Sequence, residues 1–130
     1  MDQKEMKSVQ SERLRDMVSL VYNHCPLYKA KFDALGIRPC DISGIDDIAR
    51  LPFTVKDDMR DSYPFGLFST PINQIAELHV SSGTTGNPTV VGYTRDDIQL
   101  WSEVIARSLC SAGAEPGDKI QIAYGYGLFT

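Results

Sequence analysis

Nine consecutive residues, Ser81-Ser82-Gly83-Thr84-Thr85-Gly86-Asn87-Pro88-Thr89, include no Val, Leu, Ile, Met or aromatic residue. A stretch like this cannot enter a core, and β-prone runs flank it. Before it, Ala76, Leu78 and Val80 alternate with Ile75, Glu77 and His79, the period of a strand. After it, Val90, Val91 and Tyr93 mark a second strand. The stretch is therefore expected to be a hairpin-like loop. Its glycines let the backbone turn amide groups towards a ligand, and its hydroxyls add short donors. Such a loop can surround phosphate oxygens without a large charge, and a hydroxyl can also ligate Mg²⁺. The same composition suits a plain turn. Asn87-Pro88 follows Gly86, where a Walker A loop needs Lys-Ser/Thr. No Gly-x-Gly-x-x-Gly opens a helix here either.

Around this loop the chain reads as α/β. Leu14, Met17, Val18, Val21 and Tyr22 form a helical stripe within residues 8–24, stopped by Pro26. A short helix is expected over Leu27–Leu35, with Gly36 as a left-handed cap. A helical turn is expected near Asp46–Ala49. Thr54 and Asp57 resemble a capping box opening a helix over Val55–Ser62. Thr94 and Asp97 repeat that pattern before a long helix whose inner face would be Ile98, Trp101, Ile105, Leu109 and Ala112, closed by Gly113. Trp101 is expected in the core. Ile120, Ile122 and Tyr124 suggest a third strand. The domains expected are a mainly helical region, 1–74, then strand–loop–strand–helix–strand over 75–130, beginning an α/β core. A helix between strands implies a crossover.

The 130 residues, 42% hydrophobic and 23% charged, are enough for a core and exclude a disordered tail or a coiled coil. The net charge of −4 argues against nucleic-acid binding, which needs a basic surplus. No run of apolar residues is long enough to span a membrane. The charged N-terminus lacks the apolar run of a signal peptide. Cys25, Cys40 and Cys110 are few and widely spaced, so reduced, mostly buried thiols in a cytoplasmic protein are expected.

The literal string SSGTTGNPT resembles the phosphate-binding signature of the adenylate-forming enzymes. The longer run Gly-Thr-Thr-Gly-x-Pro-Thr-Val-Val-Gly-Tyr-Thr is similar to the phenylacetate–coenzyme A ligases. So are CPLYKAKFDALGI at 25–37, LPFTVKDDMRDSYPFGLF at 51–68 and AYGYGLFT at 123–130. Many members of the superfamily place Lys after the Pro; here Thr89 stands there, so any cation would come from elsewhere.

The resemblance implies the first part of the large N-terminal domain of an ATP- and Mg²⁺-dependent ligase. That ligase would activate an aryl acetate as its adenylate and pass it to coenzyme A. Ser81, Ser82, Gly83, Thr84, Thr85 and Gly86 would hold the ATP phosphates, with Thr85 as a candidate Mg²⁺ ligand. Tyr124, Gly125, Gly127 and Phe129 would line the aryl pocket, although read alone these aromatics suit an ordinary strand end. The catalytic lysine would lie beyond residue 130, and the 130-residue chain alone would be inactive. The partners implied are small-molecule substrates, with neither nucleic acid nor membrane, and a homodimer of the full-length form. His79 is open to a catalytic or a structural reading, and Tyr93 and Arg95 are weaker candidates. A ligase for another aryl acid, or a non-catalytic nucleotide-binding or protein-interaction module, remains an alternative.

Overall fold

The computed structural model describes residues 1–81 and 87–123. The chain divides into two compact units, Met1–Thr70 and Pro71–Thr130.

In the first unit, α1 spans Gln3–His24. It begins well before its apolar stripe because Asp2 and Glu5 form a reciprocal cap. The Glu5 amide donates to Asp2 Oδ1 at 2.7 Å, and the Asp2 amide donates to Glu5 Oε2 at 2.9 Å. Cys25 ends α1, and Pro26 opens α2, Pro26–Ala34, where its missing amide costs nothing. Gly36 then takes a left-handed φ of 65°, as a helix C-terminus favours. Two 3₁₀ turns, Pro39–Asp41 and Ile45–Arg50, lead to α3, Lys56–Asp61.

The cap of α3 is displaced by one residue from the sequence expectation. Asp58, rather than Asp57, accepts from the backbone, taking the Val55 amide at 2.8 Å. Thr54 is held elsewhere, because its hydroxyl pairs with that of Tyr28. Asp58 also takes Lys31 Nζ at 2.5 Å, tying α3 to α2.

The core of this unit is Val18, Phe32 and Ile42, with Leu14, Val21, Tyr22, Tyr28, Ile37 and Leu51 packed around it. Tyr22 meets Phe32 edge to face at 6.0 Å and donates to Asp33 Oδ1 at 2.8 Å. Cys25 is buried, and its Sγ lies 3.6 Å from the Gly66 carbonyl oxygen. Cys40 and Cys110 are exposed. The expectation of mostly buried thiols therefore fails for two of the three. Cys40 sits in an exposed 3₁₀ turn and Cys110 on the last turn of a helix with no buried residue.

In the second unit, β1 (Ile75–Val80) and β2 (Val90–Thr94) pair antiparallel. The register runs Glu77↔Tyr93, Leu78↔Gly92, His79↔Val91 and Val80↔Val90, with an irregularity between Ile75 and Glu77. α4, Arg95–Ser111, follows directly. Its cap matches the sequence expectation: Asp97 Oδ2 accepts from the Thr94 amide at 2.8 Å and from its hydroxyl at 2.7 Å.

Two expectations fail here. No residue of α4 is buried, and Trp101 keeps 44% of its surface exposed. A helix face is buried only by something opposite it, and the sheet described in this unit is a single pair of strands. The third strand does not form over Ile120 and Ile122, which are exposed. A strand exists through its ladder partner, and among the described residues the ladder is the β1–β2 pair. Tyr124, its expected end, lies outside the described residues. Among the described residues no helix is long and apolar enough to cross a membrane.

Candidate phosphate-binding site

The 81–89 stretch begins and ends on the hairpin. One step beyond the Val80↔Val90 pair, the Ser81 amide donates to the Thr89 carbonyl at 3.0 Å. The Thr89 amide donates to Ser81 Oγ at 3.3 Å. Ser81 therefore uses its hydroxyl as an acceptor at the base, and a hydroxyl can donate as well. Asn87 is exposed, while Pro88 and Thr89 are half-buried. Ser82, Gly83, Thr84, Thr85 and Gly86 lie outside the described residues, as do Tyr124, Gly125, Gly127 and Phe129.

Three rings meet just behind this base. Tyr93 stacks on Trp101 with centroids 5.3 Å apart and planes 29° apart. His79 meets Tyr93 edge-on at 4.9 Å and Trp101 at 5.8 Å. Its Nε2 lies 3.3 Å from Glu77 Oε2. His79 is thus packed and partnered within the hairpin and helix, as the structural reading anticipates. Arg95 is exposed on the first turn of α4. An open groove of about 390 Å³ runs beside the rings, lined by Gly92, Tyr93, Asp97, Leu100, Trp101 and Val104.

The charge at the groove is negative. The backbone amide of Thr94, and then its hydroxyl, hold the Asp97 carboxyl below its ordinary range. No lysine, arginine or histidine occurs from Ser81 to Thr89. The loop offers neutral donors only, namely hydroxyls and amides, which suits an anion whose charge is met partly by another cation.

No protein-family model matches the chain. Over 126 residues it is 51% identical to the phenylacetate-coenzyme A ligase of Thermus thermophilus, covering 97% of this chain and 28% of that protein. The corresponding figures for the Escherichia coli phenylacetate-coenzyme A ligase are 49%, 97% and 29%. In sequence the chain corresponds to the N-terminal part of the phenylacetate–coenzyme A ligases. It spans just over a quarter of the length of these relatives.

Solved structures agree. A 2-hydroxyisobutyryl-CoA ligase in the postadenylation state, in complex with 2-HIB-AMP, superposes with a TM-score of 0.86. That match has 28% identity and covers 99% of this chain and 28% of the neighbour. The same ligase with 2-HIB-AMP and CoA gives 0.82 at 31% identity, covering 91% of this chain and 26% of the neighbour. The helical half followed by the strand pair is thus the opening of an adenylate-forming CoA ligase fold.

Sequence reasoning took His79, Tyr93 and Trp101 singly and missed their association. The signal was available in the hairpin. Pairing Val80 with Val90 places Glu77 opposite Tyr93 and His79 opposite Val91. A helix capped at Thr94 then folds back over that face.

Proposed function

We propose that this chain is the N-terminal part of an ATP-dependent ligase that joins phenylacetate to coenzyme A. The carboxylate attacks the α-phosphorus of ATP, releasing diphosphate and leaving phenylacetyl-adenylate. The coenzyme A thiol then attacks the acyl carbon, loses its proton and displaces AMP. The observation that carries this reading is the 51% identity, over 97% of the chain, to a relative of that name.

In this reading Ser81, Ser82, Gly83, Thr84, Thr85 and Gly86 hold the ATP phosphates. Their hydroxyls and amides are neutral donors that favour the charge gathering on diphosphate as it leaves. Thr85 is the proposed Mg²⁺ ligand; the ion when bound adds the positive charge that the loop lacks. Tyr124 and Phe129 give the aryl group flat apolar walls, and Gly125 and Gly127 let the backbone come close. Residues 75–130 begin the α/β core, and the catalytic lysine lies beyond residue 130. The full-length enzyme is a cytoplasmic homodimer.

A second acid class is suggested by the structural neighbours, which are named as ligases of 2-hydroxyisobutyrate. Release of AMP by the full-length protein, measured with ATP, Mg²⁺, coenzyme A and each acid in turn, tests both. Release with phenylacetate and little with 2-hydroxyisobutyrate is expected. The reverse preference, or no release with either, defeats the reading. The 130-residue chain alone is expected to release none.

A further inference from the structure

We propose that Trp101 is a positioning residue for the 81–89 loop, acting through Tyr93 and His79. The inference rests on reading that loop as the phosphate site. Apart from Pro88 the loop has only small or polar side chains, so it has little apolar packing of its own to fix it. Its base is closed by the two hydrogen bonds between Ser81 and Thr89. A two-stranded ribbon is marginal unless something packs on its face.

Trp101 is what packs there. Its ring stacks on Tyr93 at 5.3 Å and touches His79 at 5.8 Å, so one side chain of α4 grips both strands. His79 stands close before Ser81 on β1, and Tyr93 lies beyond Thr89 on β2. Glu77, 3.3 Å from the imidazole, holds the His79 ring in place. In the regular register that follows the irregularity, Glu77 stands opposite Tyr93, and His79, two residues on, shares that face. Trp101 thereby couples the direction of the hairpin to α4, whose start is fixed by the Thr94–Asp97 cap. Substrate phosphates gripped by a loop on a tilted hairpin would be misplaced for attack, although no ring touches them.

The two half-reactions of the full-length protein separate this role from simple stability. Trp101→Leu should raise KM for ATP and slow phenylacetate-dependent adenylate formation by about tenfold or more, since misplacement by an ångström costs on the order of a hundredfold. Thioester formation from preformed phenylacetyl-adenylate and coenzyme A should change little. Trp101→Phe, which keeps a ring on Tyr93, should restore most of the first half-reaction. Ile105→Ala, an apolar truncation on the same helix outside the ring cluster, should leave both alone.

Parallel loss of both half-reactions with the melting temperature overturns the proposal. So does an unchanged first half-reaction, or failure of Trp101→Phe to restore it. If Trp101→Leu does not fold, Tyr93→Leu takes its place with the same outcomes. Failure of the underlying reading looks different: Thr84→Ala and Thr85→Ala would then leave adenylate formation untouched. If both threonine variants are impaired while Trp101→Leu behaves normally, only the positioning role falls.

Discussion

Residues 1–70 and residues 71–123 solve different problems. The first region is built around its own core. Val18, Cys25, Phe32 and Ile42, the fully buried apolar residues among those described, all lie there. Its helices are tied by pairs far apart in sequence, such as Lys31–Asp58 and the Arg15 guanidinium donating to the Ser43 carbonyl at 2.8 Å. The second region buries none of its large apolar side chains, and Leu100, Trp101, Val104 and Ile105 of α4 all remain exposed. What it holds instead is geometry: a register, a helix cap and three rings behind one loop. Stability in this chain is concentrated away from the residues proposed to carry chemistry.

The contrast is sharpest in a core truncation. Phe32→Ala should cost about 3–5 kcal/mol, as removal of a buried aromatic ring does. Denaturant unfolding followed by circular dichroism would show it, and a loss below about 1 kcal/mol would break the comparison. Next come the loop hydroxyls. Thr84→Ala and Thr85→Ala should each weaken adenylate formation in the full-length protein by about 1–3 kcal/mol, the range for an unmade hydrogen bond to a charged group. Their melting temperatures should stay at the parent value, and a stability loss matching the activity loss would place these threonines with the core residues.

Removing the α4 cap with Thr94→Ala should cost about 1 kcal/mol. Thr94→Ser should recover most of that in the same unfolding assay. The acid response is smaller still. The Lys31 ammonium, and then the Val55 amide, hold the Asp58 carboxyl below its ordinary value of 3.8. A lowered folded-state pKa contributes stability above the unfolded value, which is lost as the pH falls further through the folded one. The loss should therefore begin near pH 3.8 and deepen below it, and Asp58→Asn should flatten that limb of a melting profile. The smallest effect belongs to α4: Leu100→Ala, at a position 64% exposed, should shift stability by no more than about 0.5 kcal/mol.

Much was legible in the residues themselves. Thr94 with Asp97, Gly36 after α2, Pro26 between two helices and the hairpin around 81–89 all follow from neighbours a few positions apart. Hydrogen-bond reach along a chain is short, so four-residue patterns decide such features. The identity of the loop was legible for a different reason: its string is specific, whatever surrounds it. The start of α1 was missed because its first turns carry no apolar stripe and open at the Asp2–Glu5 cap.

Other features needed distant partners. Asp58 caps α3 in place of Asp57 because Thr54 meets Tyr28 and Asp58 meets Lys31, contacts that no local pattern encodes. The stripe on α4 promised a buried face, yet burial requires an opposing surface, and Trp101, packed on Tyr93 and His79 of the hairpin, still keeps 44% of its surface exposed. Ile120 and Ile122 alternate as a strand should, but a strand is made by its neighbour's hydrogen bonds. By itself the sequence determined the Pro26 break, the Gly36 and Thr94 caps, the hairpin and the ligase resemblance, because each is written in adjacent residues. The three-dimensional structure alone decided which aromatic rings met behind the loop and which apolar faces were covered, because packing is settled between segments that the chain order keeps apart.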